Sequence, residues 1–303
     1  VIGGSGFVGR YVVKLLAAAG YTVRVIVRNT NAALPLKTVG APGQVVLMSG
    51  NIADPATLIG KIENSYAVVN LVGLLFESGK QTFASVHAHG SEKLAQMAKA
   101  AGVSRFVQMS ALGVDKARTS DYARTKLLGE KAVLSAFPEA SIIRPSVIFG
   151  TEDNFFNQFA SMAALSPALP LIGGGATRFQ PVYVGDVAAA IVACIKRPDT
   201  MGQVYELGGP EVMSFRDVLR YVMAVTGNRR PMVPLPMGVA SFIGLCGECL
   251  PKPPLTRDQV RLLKSDNVVG SGVKTLANLG IAPTAVEMVV PEYLGRFQRK
   301  TAA

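Results

Sequence analysis

The run Gly3-Gly4-Ser5-Gly6-Phe7-Val8-Gly9 constrains this 303-residue chain more than any other feature. It follows Val1-Ile2, which reads as the end of a strand, and it opens the helical composition of Phe7 to Ala19, which stops at Gly20. Glycines three apart allow a tight backbone turn with no side chain in the way. The helix N-terminus beyond them offers free N–H groups and the positive end of the helix dipole. Strand, glycine turn and helix in that order form a cradle for a pyrophosphate. Gly3, Gly4, Ser5, Gly6, Phe7, Val8 and Gly9 are therefore candidate dinucleotide-binding residues.

The rest of the first half repeats the strand–helix alternation. Tyr21 to Val27, Val45 to Met48, Ala67 to Val72, Arg105 to Met109 and a segment ending at Ile142-Ile143 read as strands, with Ser91 to Ala101 a helix. Near-continuous apolar strands separated by helices predict a parallel sheet covered on both faces, and right-handed crossovers make it doubly wound. The expected fold is an α/β Rossmann-type sheet over residues 1–150, with a smaller C-terminal lobe over 151–303, some of whose segments return to the sheet. After Gly150 helices are predicted at Val187 to Ile195, Phe215 to Val225, Thr256 to Leu263 and Ala285 to Phe297, between glycine and proline clusters.

Composition narrows the partners. Apolar residues make up 49% of the chain, enough for a sizeable core, and 31 basic against 20 acidic residues leave a net charge of +11. Such an excess favours an acidic partner: a phosphate-bearing cofactor, an anionic lipid surface or an acidic protein face. Nucleic acid fits poorly, because Trp is absent and the basic residues are scattered. Three cysteines exclude a disulfide framework and favour a reducing compartment. Cys246 and Cys249 form a CxxC, but His87 and His89 are far off in sequence, so the pair reads as helix residues and no metal site is expected. Charge-poor stretches at 154–177 and 231–247 are broken by proline and glycine and are too short to span a bilayer. Because the sequence opens inside a strand, it predicts an N-terminus further upstream and leaves any targeting segment unread.

The end of the second strand bears on cofactor choice. Val27-Arg28 stands where a site for NAD carries a carboxylate, and a guanidinium there suits a 2′-phosphate, so NADPH is expected over NADH. Arg10, directly after the third glycine, offers a second positive charge. Tyr122 and Lys126 lie four apart in a helical stretch and share one face. In a reductase the ammonium of such a pair is expected to lower the tyrosine's pKa for proton transfer and to bond the nicotinamide ribose.

Together these features resemble the extended and atypical short-chain dehydrogenases/reductases, and among them the NADPH-binding accessory subunits of respiratory complex I, the NADH:ubiquinone oxidoreductase. The stretches that carry the resemblance are GGSGFVGRYVV (3–13), DYARTKLLGEKAV (121–133), AFPEASIIRPSVIFGTEDNFFNQFA (136–160), RFQPVYVGDVA (178–188), LTRDQVRLLKSDNVV (255–269) and PTAVEMVVPEYLGRF (283–297). The glycine motif and YxxxK are shared across the reductases, whereas 136–160 and 255–269 are narrower. The resemblance implies a bound NADPH outside the electron path and a protein that stabilises the junction of the hydrophilic and membrane arms. It implies a peripheral place on a bacterial cytoplasmic membrane or the matrix face of the mitochondrial inner membrane, with other complex I subunits as partners. Carried over, the pyrophosphate loop is Gly3 to Gly9, the 2′-phosphate contact Arg28, and Asn51 and Ile52 border the adenine. Leu71, Val72, Gly73, Pro145 and Ser146 border the nicotinamide half, with Tyr122 and Lys126 at its ribose. Catalytic members also hold a Ser or Thr beyond the strand before the tyrosine helix. Here Ser110 is the hydroxyl in reach, and Leu112 stands where sugar-active members keep theirs, which implies a retired active site. The alternatives are an active NADPH-dependent reductase and a nucleotide-sugar epimerase or dehydratase.

One further stretch, Met237 to Leu250, carries a single charge between flanking prolines and is long enough for a short helix. Met237, Ala240, Phe242, Ile243 and Leu245 predict either a helix buried in the second lobe or a docking segment on a bilayer or a hydrophobic groove. The flanking Arg229-Arg230, Lys252 and Arg257 favour an anionic surface.

Overall fold

A computed structural model describes residues 1–79, 81–248, 250, 253 and 255–298. Its strands are β1 (Val23–Val27), β2 (Val45–Ser49), β3 (Ala67–Asn70), β4 (Arg105–Met109), β5 (Ser141–Pro145), β6 (Ile148–Phe149), β7 (Leu169–Ile172), β8 (Arg178–Phe179), β9 (Val182–Tyr183), β10 (Val204–Leu207), β11 (Met213–Ser214) and β12 (Met232–Leu235). Ile2 bridges Ile26 on one side and Asn70 on the other, both in parallel, and so joins β2-β1 to β3-β4-β5-β10 in one sheet. Every pairing in that sheet is parallel.

Strand side chains alternate between two cores, as a sheet covered on both faces requires. Val25, Val27, Val107 and Ile143 join one core, under α1 (Phe7–Ala18) and the later helix Val184–Lys196. Ile26, Phe106 and Ile142 join the other, under α2 (Ser91–Ala100) and α3 (Asp121–Ala136). The strand predicted to run to Val72 stops at Asn70, whose side chain donates to Ser91 Oγ and Gln108 Oε1 and accepts from the Val72 N–H. That side chain replaces the ladder and turns the chain out over the sheet.

Beyond β6 the chain adds α4 (Phe156–Leu165), then α5 (Val184–Lys196) and β10, which return to the main sheet. It then runs through α6 (Phe215–Thr226), α7 (Met237–Gly247), α8 (Arg257–Leu262) and α9 (Val286–Leu294). Phe149, Phe156, Val218, Val222 and Val290 form a third core among α4, α6 and α9. Two capping boxes start α6 and α8, at Ser214/Asp217 and Thr256/Gln259. No helix among the described residues is long and apolar enough to cross a membrane.

Helix α3 lies close against the π-helical segment Ala84–Gly90. At Gly129 an added Cβ would overlap the His87 carbonyl oxygen. Gly129→Ala must therefore push α3 off its seat, and overpacking of this kind costs roughly 1–3 kcal/mol. We expect a lower urea midpoint with an unchanged m-value, and a midpoint equal to that of the parent would contradict this packing.

Candidate functional site

The glycine loop has the geometry its spacing predicts. Gly3 sits at φ 79°, a left-handed conformation that side chains resist. A Cβ at Gly9 would come within 2.5 Å of the Gly3 carbonyl oxygen, so the third glycine is what lets α1 approach the turn. Helix α1 starts at Gly6 with no side-chain cap and no acidic residue in its first turn, which leaves its positive end available. Arg10 is exposed and its Nε donates to the Ser5 carbonyl, bracing the loop.

The other predicted residues surround this loop unequally. Arg28 directly follows β1, is exposed, and makes no hydrogen bond or ion pair among the described residues. Asn51 follows β2, where its backbone N–H donates to Thr57 Oγ1 and its Oδ1 accepts from Ala53 N, while Ile52 is buried. Leu71 bonds back to the Ile2 carbonyl, and Val72 lies 3.1 Å from where a Cβ on Gly3 would stand. Gly73 faces Lys126, whose Nζ would lie 3.1 Å from a Cβ added there. Ser146 differs from expectation: its hydroxyl donates to Asn267 Oδ1 at 2.6 Å, so it is engaged with the second lobe. Pro145 accepts from the Leu112 N–H and is buried.

Tyr122 and Lys126 share one face of α3, but their electrostatics correct the sequence reading. The tyrosine's pKa is pushed up, to about 12, because burial disfavours the phenolate and the Asp258 carboxylate adds to the effect. Lys126 is driven down to about 8 by burial, with Glu130 opposing the shift. Among the described residues its Nζ reaches only two carbonyls, Met109 O at 3.2 Å and Val72 O at 3.5 Å. Ser110 is buried, and its Oγ has no partner among the described residues. The unmatched Ser110 hydroxyl thus follows directly in the chain on Met109, whose carbonyl Lys126 reaches.

Three residues of this site escaped the sequence reading. His87 Nε2 accepts from the Leu74 N–H, and its Nδ1 lies 3.1 Å from Thr125 Oγ1, which donates to the Asp121 carbonyl. The ring is thus the Nδ1-protonated neutral tautomer, stacked on Phe83 and edge-on to Tyr122. Asp258 accepts from Ser120 Oγ and from the N–H groups of Asp121 and Tyr122, closing the N-terminus of α3. Asn267 accepts from Ser146 and Val147 and donates to the Leu112 carbonyl, tying the ends of β4 and β5 to the second lobe. The 255–269 stretch was singled out by resemblance alone; these two side chains give it a physical role. His87 was legible only as a distant metal ligand, and no group of His, Cys, Asp or Glu among the described residues could hold a metal. Cys246 is exposed on α7, and Cys249 lies outside the described residues.

Glycine loop, uncapped helix and YxxxK face on a doubly wound sheet define a class. The chain belongs to the NAD dependent epimerase/dehydratase family, whose model matches residues 1–208. Within that class it groups with one particular protein. It is 36% identical over 311 residues to the mitochondrial NADH dehydrogenase (ubiquinone) 1 alpha subcomplex subunit 9 of Arabidopsis thaliana, across 99% of this chain and 77% of that one. The Mus musculus protein of the same name is also 36% identical, over 299 residues, 98% of this chain and 79% of that one. Among solved structures, a triphenylmethane reductase from Citrobacter superposes with a TM-score of 0.76 over 97% of this chain and 98% of that one, at 17% identity, a likeness of fold alone.

His87 yields a pH prediction. Burial, with the Lys126 charge beside it, lowers its pKa to about 2, against an ordinary value near 6.5. Below pH 6.5 the unfolded chain takes up a proton that the folded one refuses, so this group's contribution is whole above 6.5 and falls as the pH drops toward 2. The slope is at most about 1.4 kcal/mol per pH unit. In urea titrations between pH 6 and 4.5, His87→Gln should lose stability less steeply than the parent. Parallel slopes would show that another group titrates.

Proposed function

We propose that this chain is an accessory subunit of respiratory complex I that holds NADPH as a structural element and does not itself catalyse. The observation that carries this reading is the reach of the similarity. It covers 99% of the chain, so it includes the second lobe and the 255–269 stretch as well as the nucleotide fold common to the class. The partners implied are the other complex I subunits, and the place implied is the mitochondrial inner membrane or its bacterial counterpart, held peripherally.

The residues present fit NADPH. The uncapped α1 terminus and Gly3 to Gly9 suit a pyrophosphate, and the unpaired Arg28 suits a 2′-phosphate. Asn51 and Ile52 stand at the adenine side; Leu71, Val72 and Gly73 stand toward the nicotinamide side with Lys126 and the partnerless Ser110. NADPH bound there would supply the anionic groups and the polar ring edge that these residues leave unmatched. Pro145 and Ser146 are proposed only as the floor of that pocket, since the Ser146 hydroxyl is engaged by Asn267. Two observations support a retired site: Leu112, where sugar-active members keep a hydroxyl, is buried, and the pKa of Tyr122 is raised where an activated phenol needs it lowered.

Replacing the guanidinium tests the cofactor. A bidentate phosphate contact is worth roughly 1.5–3 kcal/mol, so Arg28→Asp should abolish a roughly ten- to hundredfold preference for NADPH over NADH. Titration calorimetry with both nucleotides on both proteins reads this directly. A parent protein that prefers NADH would sink the assignment.

Docking is proposed through α7. Ala240 and Gly244 face inward, where a Cβ on Gly244 would crowd the Thr256–Arg257 backbone, whereas Phe242 is 66% exposed and Ile243 44%. The predicted basic flanks contribute less than the sequence suggests. Arg230 donates to the Ala163 and Ala164 carbonyls and Arg257 pairs with Glu248, while Lys252 lies outside the described residues. The apolar term therefore dominates any contact with a membrane-arm groove or an anionic lipid surface. Because both side chains are exposed, Phe242→Ser with Ile243→Ser should leave folding and nucleotide binding intact. The double variant should nevertheless be lost from the membrane-bound assembly on native gels. Full retention would remove α7 from the interface.

A further inference from the structure

The first N–H groups of a helix have no partner inside it. In α3 they belong to Asp121, Tyr122 and Ala123, since the Arg124 N–H already bonds the Ser120 carbonyl. The Ser120 hydroxyl accepts from the Ala123 N–H at 3.1 Å. Asp258 takes the other two, Asp121 at 2.8 Å and Tyr122 at 3.1 Å, and also accepts the Ser120 hydroxyl at 2.7 Å. Ser120 is fully buried and the Asp258 side chain is 14% exposed. Without this carboxylate, two backbone donors and a hydroxyl would lose their acceptor together, in a place where water is a poor substitute.

Asp258 is itself fixed by the second lobe. Thr256 and Gln259 close the capping box around the start of α8. Glu248, at the end of α7, accepts from the Arg257 N–H and pairs with its guanidinium at 2.9 Å. Arg261 lies 3.5 Å from Asp258 and 3.4 Å from Asp121, bridging the two helices. The glycine loop is held differently. The Gly6 N–H bonds the Gly3 carbonyl, the Gly3 N–H bonds the Ile26 carbonyl on β1, and Arg10 Nε bonds the Ser5 carbonyl. Among the described residues no hydrogen bond joins residues 3–9 to residues 255–269.

We propose that Asp258 is the positioning residue through which the second lobe sets the affinity for the nicotinamide half of the nucleotide and leaves the adenosine half alone. This role rests on the reading given above, in which the glycine loop and Arg28 hold the adenosine end of NADPH and Tyr122 and Lys126 its nicotinamide end. By fixing the first turn of α3, Asp258 fixes Tyr122 directly and, one turn on, Lys126. A frayed first turn would have to be reordered at each binding event, and the apparent affinity would fall by the fraction of molecules in which the turn is formed.

The test is calorimetric titration of the whole chain, parent and variants, with NADPH and with adenosine 2′,5′-bisphosphate, which lacks the nicotinamide half. Asp258→Ala should weaken NADPH binding roughly fivefold or more, the scale of a lost helix cap, and leave the bisphosphate within about twofold of the parent. Asp258→Asn keeps one acceptor oxygen and should lose less. Retained bisphosphate affinity also shows that the variants have folded. Parental NADPH affinity in Asp258→Ala overturns this role and leaves the cofactor reading intact. So does an equal loss for both ligands, which would make Asp258 a general support of the fold. A parent that binds NADPH no more tightly than the bisphosphate would instead overturn the nicotinamide contacts of the cofactor reading, and this role with them.

Discussion

The candidate site hangs on one carboxylate. Asp258, from the second lobe, accepts hydrogen bonds from the Ser120 hydroxyl and from two backbone N–H groups at the start of α3. A helix N-terminus leaves four such donors without intrahelical partners, and a negative charge there also meets the favourable end of the dipole. Everything the site needs from α3 follows in register: Tyr122, then Thr125 and Lys126, then Gly129 and Glu130. At the far side of that face, Arg144 on β5 grips Glu130 with two hydrogen bonds of 2.9 and 2.6 Å. Helix α3 is thus held at its start by the second lobe and along its length by the sheet.

The same arrangement explains why burial governs the chemistry. Lys126 and His87 both lie against the Gly73 turn, and burial lowers the pKa of each, the lysine's to about 8 and the histidine's to about 2. His87 then serves as a fixed hydrogen-bonding strut between the Leu74 backbone and Thr125, which sets the height of the 71–74 turn over the sheet. Tyr122, packed against this strut and near Asp258, is held as the phenol. The YxxxK spacing is intact, in surroundings that raise the tyrosine's pKa and lower the lysine's.

The second lobe clamps the candidate site. Asn267 pins the ends of β4 and β5, α8 carries the Asp258 cap, and α7 packs its small residues on the backbone that begins α8. The helix that exposes Phe242 is therefore mechanically continuous with the residues that position Tyr122. This continuity runs from α7 through the backbone that begins α8 to the Asp258 bonds at the start of α3.

Much of the fold was readable from local pattern, because glycine spacing, apolar runs and helix stops are properties of neighbouring residues. The glycine turn, the parallel strands, and α3 with Tyr122 and Lys126 on one face all follow from such signals, as does the place of Arg28 after β1. Burial and long-range pairing are not local, and there the sequence was silent or misleading. Tyr122 and Lys126 by spacing suggest an activated phenol; desolvation together with Asp258, 136 residues away, reverses that. Ser146 sits in a motif that suggests a ligand contact, until Asn267, 121 residues further on, takes its hydroxyl. Arg230 and Arg257 read as free flank charges and are already bonded. Local sequence determined which elements form and which groups they carry. Only the tertiary structure decided which of those groups are dry, which are paired and which remain open to a partner, because solvent exclusion and pairing depend on residues that meet only when the chain has folded.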